Sequence, residues 1–112
     1  VTHSIVSEKI ATIELFGSIT AVNAEELRGQ LMKKLAKPAL SVLQLDLSKV
    51  EFLDSAGLMT LVTAYRLANS LNKRLIFCSV PPAVRIVFEL TQLDRTFDMF
   101  EDRLAGEFSV IE

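Results

Sequence analysis

Apolar positions along the chain recur with two periods, and the alternation between them outlines the elements. In residues 11–16, Ala11, Ile13 and Leu15 alternate with Thr12 and Glu14, the period of a strand with one core face and one wetter face. Gly17 is expected to end that strand. A shorter apolar run at residues 4–6 lies before the turn-like Ser7-Glu8-Lys9, which predicts a first hairpin. The clearest strand covers residues 42–47, where Leu43, Leu45 and Leu47 point one way and Val42, Gln44 and Asp46 the other. Residues 75–78 read as a short apolar strand and residues 97–100 as an edge strand.

Between these runs the period changes to that of a helix. Ala24, Leu27, Leu31 and Leu35 form a stripe over residues 24–36, with Asn23 as N-cap, Glu26 placed to answer it and Glu25, Arg28, Lys33 and Lys34 on the other face. Pro38 stops any continuation. The longest periodic segment, residues 58–71, presents Leu58, Leu61, Val62, Tyr65 and Ala68 to the core. Its other face, Ala56, Met59, Thr60, Thr63 and Leu67, carries no charge, which suits a contact surface or a face covered by a neighbouring helix or the chain's own tail. Ser79-Val80-Pro81-Pro82 breaks the preceding strand and primes a third helix at residues 83–90, with Val84, Val87 and Phe88 turned inward. Residues 101–105 predict a last helical turn, and residues 106–112 a tail whose Phe108, Val110 and Ile111 pair or pack.

Strands joined through helices run parallel, whereas a hairpin is antiparallel. The expectation is one α/β domain over residues 1–112, with a mixed sheet of four to five strands and packed helices. Apolar residues make up 50% and charged residues 23% of the chain, the balance of a globular domain. A net charge of -2 supplies no broad basic surface, so nucleic acid and anionic membranes are not expected partners. No apolar run has the length of a membrane span and the first residues lack signal-peptide character, which predicts a cytosolic protein.

Catalytic combinations are sparse. His3 is the only histidine and Cys78 the only cysteine, and Gly17, Gly29, Gly57 and Gly106 are too widely spaced for a phosphate loop. Asp46 and Asp54 fall near the carboxyl edge of the expected sheet, either as weak ligands for a divalent ion or, more simply, as a strand-end polar residue and a helix cap. No cofactor and no enzymatic activity are expected. Ser55, between the strand and the longest helix, reads locally as an N-cap. It is followed by Ala56 and Gly57, whose small size leaves its hydroxyl open to another protein's active site.

The run Leu45-Asp46-Leu47-Ser48-Lys49-Val50-Glu51-Phe52-Leu53-Asp54-Ser55-Ala56-Gly57-Leu58 resembles the signature of the STAS domain family, the anti-sigma factor antagonists. The similarity continues through Val80-Pro81-Pro82-Ala83-Val84-Arg85 and Leu90-Thr91-Gln92-Leu93-Asp94, and covers nearly the whole chain. The resemblance implies a protein-protein switch. The serine matching Ser55 is phosphorylated by an anti-sigma factor that is also a serine kinase, and a serine phosphatase reverses the modification. The unphosphorylated antagonist holds the anti-sigma factor and the phosphorylated one lets go. The surface implied for partner binding comprises Asp54, Ala56, Gly57, Met59, Thr60 and Thr63, with Ser18 and Thr20 from the loop at residues 18–22.

Three positions depart from the family pattern. Thr20 stands where an aspartate is frequent, Ser79 where asparagine is common and Gln92 where glycine is common, so the turn after the third helix is expected to differ. The alternative reading is a STAS scaffold or signalling adaptor outside sigma-factor control, with Ser55 a helix cap or the substrate of another kinase.

Overall fold

The computed structural model describes residues 10–103. Four strands and three helices alternate: β1 (Ile10–Ile19), α1 (Ala24–Leu35), β2 (Val42–Leu53), α2 (Ser55–Ser70), β3 (Arg74–Cys78), α3 (Pro82–Leu90) and β4 (Asp98–Phe100), with a single 3-10 turn over Leu93–Arg95 before β4. The strands lie in the order β1-β2-β3-β4 and every neighbouring pair is parallel. The predicted antiparallel partner at residues 4–6 and the tail at residues 106–112 lie outside the described residues.

The sheet is buried on both sides. Leu43, Leu45, Leu47, Leu75 and Phe77 join Leu27, Leu31 and Leu35 of α1, Leu61, Ala64 and Ala68 of α2, and Val84 and Phe88 of α3 in one apolar cluster. The alternate residues Gln44, Asp46, Ile76 and Cys78 are buried too, but outside that cluster. Gln44 is satisfied there by donating from Nε2 to Thr12 Oγ1 at 3.0 Å, as a buried amide requires. Arg103 ties the chain end of the described region to this second face through Asp46 at 2.9 Å and through Glu14. Burial pushes the Asp46 carboxyl up, but the N–H and hydroxyl of Ser48 and the Arg103 guanidinium outweigh it and hold the carboxyl below its usual range.

Aromatic packing joins the later elements. Phe77 stacks on Phe97 with centroids 4.4 Å apart, and Phe88 meets both rings edge-on. Tyr65 of α2 packs on Phe97 at 5.1 Å and donates its hydroxyl to the Thr96 carbonyl at 2.8 Å. Such pairs add to the area they bury because ring edge and ring face carry opposite partial charge.

Several elements run past the bounds expected from the pattern. β1 does not stop at Gly17: that residue takes φ +76 and the strand goes on to Ile19, with register irregularities between Glu14 and Phe16 and between Gly17 and Ser18. β2 continues beyond Leu47 to Leu53, its last residues pairing with β1 after the pairing with β3 has ended at Asp46 and Cys78. α2 starts three residues earlier than the apolar stripe suggested, at Ser55. Within the described part of residues 101–105, Glu101 and Asp102 form a bend and Arg103 no regular element, rather than a helical turn.

Candidate functional site

The extended β1–β2 pair delivers two junctions to the same end of the sheet: the turn at residues 20–23 before α1, and Asp54 before α2. Asp54 holds both. Its Oδ1 accepts from the Gly57 N–H at 2.8 Å, capping α2, and its Oδ2 accepts from the Ala21 N–H at 3.1 Å in the neighbouring turn. Its own N–H donates to the Ile19 carbonyl at 3.2 Å. One residue thus joins a helix start, a loop and the end of a strand, the first two through charge-assisted bonds from its carboxylate that are stronger than a neutral cap.

Gly57 makes the junction sterically possible. A Cβ there would run into the Ile19 carbonyl oxygen and meet Leu53 Cδ1 at 3.0 Å. The helix therefore approaches β1 more closely than any side chain at this position allows.

With Asp54 as the cap, Ser55 is the first helical residue rather than the N-cap. It is exposed, and among the described residues no hydrogen bond engages its hydroxyl. The N–H groups of Ser55 and Ala56 sit in the first turn, where no intrahelical acceptor exists. Two backbone donors and the positive end of the α2 dipole therefore lie beside that hydroxyl, against the negative charge of Asp54.

The turn at residues 20–23 is built on its own side chains. Asn23 does not cap α1 in the expected forward sense. Its Oδ1 accepts from the Thr20 N–H at 3.0 Å and its Nδ2 donates to the Ser18 carbonyl at 2.9 Å. Thr20 Oγ1 accepts from the Val22 N–H at 3.2 Å, the turn contact that a short acidic side chain also makes, but without the charge. Ser18 belongs to β1 rather than to a loop, and its side chain is exposed.

Not every residue expected on the surface is there. Gly57 is buried under Ile19, and Thr60 is 5% exposed because α1 packs against α2, its hydroxyl donating to the Ala56 carbonyl at 3.1 Å. Ala56 and Thr63 are half-buried, whereas Met59 is 53% exposed one turn after Ser55 on the same helix face. Val22 is 94% exposed in the neighbouring turn. Two exposed aromatics on the β1–β2 extension, Phe16 and Phe52, escaped the sequence reading. Alternation held a signal for Phe16, which follows the inward Leu15. For Phe52 there was none, because the strand was expected to have ended. Asp46 and Asp54 serve separate structures, the Ser48–Arg103 contacts and the α2 cap, and belong to no group of three metal-ligating side chains among the described residues.

The STAS domain family matches residues 4–104. BtrV of Bordetella bronchiseptica, named as an anti-sigma factor antagonist, is 30% identical over 92 residues, covering 82% of this chain and 78% of its own. An anti-sigma factor antagonist structure from Mycobacterium paratuberculosis is similar at 29% identity and a TM-score of 0.74, covering 89% of this chain and 84% of that one. Two more distant structures share the fold alone. The phosphorylated form of the Bacillus cell fate determinant SpoIIAA has 20% identity and a TM-score of 0.69, with 91% and 89% of the two chains covered. The STAS domain of a Vibrio cholerae SulP transporter has 16% identity and a TM-score of 0.70, with 88% and 78% covered. The chain belongs to the STAS domain family.

Proposed function

We propose that this STAS domain is an anti-sigma factor antagonist, a non-enzymatic switch that binds a kinase-type anti-sigma factor and releases it when Ser55 is phosphorylated. The observation that carries the reading is the exposed Ser55 hydroxyl at the first position of α2, with the cap supplied instead by Asp54. Similarity to proteins named as anti-sigma factor antagonists supports it, as does a phosphorylated form of SpoIIAA. The exposed Val22 in the neighbouring turn and Met59 one helical turn after the serine supply apolar anchors for a partner.

The chemistry needs no refolding. A phosphoryl group on Ser55 adds about -1.5 to -2 charges, which the Ser55 and Ala56 N–H groups and the helix dipole partly offset and Asp54 opposes. The fold stands while the contact surface becomes anionic, and a partner fitted to the neutral surface meets a buried like charge or an unpaired phosphate. A serine phosphatase resets the surface. Thr20 leaves the neighbouring turn without a carboxylate, so the kinase's contact there is a hydroxyl or backbone group.

The alternative, a scaffold or adaptor outside sigma control, draws on the same fold occurring as the STAS domain of a transporter. One experiment separates the two. The protein is isolated from its own cells under several growth conditions and analysed by intact and peptide mass spectrometry, and the Ser55→Ala and Ser55→Glu variants are used to capture partners. A single phosphate on Ser55, retention of a kinase-type anti-sigma factor by Ser55→Ala and at least tenfold weaker retention by Ser55→Glu are expected. Equal binding by the two variants would sink release by charge, and persistent absence of phosphate would favour the scaffold.

A further inference from the structure

The second half of α1 is basic in a chain whose net charge is -2. Between Glu26 and Asp46 there is no acidic residue, whereas Arg28, Lys33, Lys34 and Lys37 all fall there. Arg28 is spent on an ion pair with Glu25. The three lysines are not: among the described residues none of their ammonium groups enters an ion pair or a hydrogen bond.

Their spacing brings them together. Gln30, Lys33, Lys34 and Lys37 stand at i, i+3, i+4 and i+7, one flank of a helix, and with half-buried Ile13 of β1 they line a cavity of about 330 Å³. Basic side chains near a helix C-terminus ordinarily answer its last carbonyls and the negative end of its dipole. Here Lys73 does so, its ammonium donating to the carbonyls of Leu35 and Lys37. The three lysines are left over, and Lys73 adds a fourth positive charge at the same end of α1.

We propose that this cavity binds a small organic phosphate, with Lys33, Lys34 and Lys37 on the phosphoryl oxygens and the Gln30 carboxamide and Ile13 side chain beside the organic part. Three cations without a carboxylate call for an anion of more than one charge, and a phosphate monoester carries about -1.5 to -2 at pH 7. Lysine meets such a group as a point charge, whereas a carboxylate is matched better by the planar fork of arginine, which the cavity wall lacks. The volume falls in the range of small-molecule sites, roughly 300 to 1,000 Å³, and leaves room for more than an inorganic ion. No aromatic side chain lines it for a nucleic acid base to stack on. The chemistry shared by the fitting ligands is a phosphate monoester, free or on a lipid headgroup. The 12-residue α1 separates the cavity from the turn at residues 20–23 by about 18 Å, so the site is distinct from the Ser55 surface. Open to solvent, it binds weakly, with a Kd of about 0.1 to 1 mM.

Titration of isotope-labelled protein with glycerol 3-phosphate at constant ionic strength, followed by NMR, tests this, with glycerol and sodium chloride as controls. Saturable one-site shifts centred on Ile13, Gln30, Lys33, Lys34 and Lys37 are expected with the phosphate alone. Lys34→Gln and Lys37→Gln should each weaken binding roughly threefold or more, and replacing all three lysines by glutamine should abolish it. The circular dichroism spectrum should not change, because none of the three ammonium groups holds a bond of the fold. Lys49→Gln, on the exposed part of β2, should bind like wild type. Flotation with phosphatidylcholine vesicles containing phosphatidic acid separates the sources: lysine-dependent flotation without a response to glycerol 3-phosphate sustains the phosphate site and assigns it to a lipid headgroup, and the reverse assigns it to a soluble ligand. Absence of both responses overturns the proposal. So do shifts that sodium chloride reproduces, binding that survives loss of the three lysines, or binding that Lys49→Gln weakens as much as the cavity variants do.

Discussion

The junction before α2 and the turns on either side of α3 set the chain's direction by opposite means. Before α2, Asp54 leaves the strand in an extended conformation, accepts two N–H groups and is followed by a glycine where the backbones nearly touch. Each residue type suits its place. Around α3, Ser79 before the helix and Gln92 after it take φ values of +56 and +62, in the left-handed region that a Cβ disfavours. They are held there by distant parts of the chain. Ser79 donates its N–H to the Phe100 carbonyl at 3.0 Å, and the residues after Gln92 are anchored by Phe97 stacking on Phe77. The Ser55 end is set by residue types that fit their positions, whereas the α3 turns are imposed by the packed core.

The sharpest way to break the comparison is to disturb the junction that fits. Gly57→Ala drives a methyl into the Ile19 carbonyl and Leu53. Neither strand can retreat, since Ile19 and Leu53 are paired in register. A loss of about 3 kcal/mol is expected, at the upper end of the usual overpacking range. Urea unfolding monitored by circular dichroism reads it. A midpoint within error of wild type would show that the close approach is not a constraint.

Asp54→Ala comes next. It removes the α2 cap and the link to Ala21 together, for an expected loss of about 2 kcal/mol. Asp54→Asn keeps an acceptor for Gly57 and should lose about half as much, because the amide replaces one carboxylate oxygen with a donor. Amide exchange at Ala21 and Gly57 should quicken in the alanine variant before exchange elsewhere does. Uniform quickening would mean that Asp54 acts on global stability and not on the junction.

What could be read from the residues follows the same division. At the start of α2, Asp54 as a helix cap and the small Ala56 and Gly57 were legible because they are chemically matched to their geometry, whereas the strand was expected to end at Leu47 and the helix to begin at Leu58. The stop assigned to Gly17 failed because a glycine with positive φ also serves a strand irregularity, which local sequence does not distinguish from a terminus. Ser48, Lys49 and Glu51 look like a loop, and only the pairing of Lys49, Val50, Phe52 and Leu53 with β1 makes this stretch strand. Thr60 resembled surface because hydroxyls often are, yet its hydrogen bond to Ala56 lets it lie beneath α1. In each case a partner distant in sequence or an internal backbone bond overrode the local signal.

The α3 turns predict gains where the junction predicts losses. Gln92→Gly removes the Cβ conflict at φ +62, worth about 1 to 2 kcal/mol, and loses up to about 1 kcal/mol to the freer unfolded chain. A net stabilisation of about 1 kcal/mol is expected, seen as a Tm about 4 °C higher by calorimetry. Destabilisation would show that Gln92 makes a compensating contact in the folded state. The turn expected to differ from the family pattern would then differ in energy for a reason other than backbone strain.

Ser79→Asn is the smallest test and the most discriminating, because its two effects oppose each other. Asparagine tolerates the left-handed region better than serine, whose Cβ is held at φ +56 without a local side-chain turn of its own. Serine, however, donates from Oγ to the Glu101 carbonyl at 3.2 Å. The asparagine amide also carries donors, so that bond can be remade one atom further out, and a gain of a few tenths of a kcal/mol is expected. Ser79→Ala keeps the strain and removes only the bond, and should cost about 1 kcal/mol. If Ser79→Asn falls below Ser79→Ala in Tm, the hydroxyl's position outweighs the backbone preference, and the turn before α3 is held by its side chain rather than imposed on it by β4.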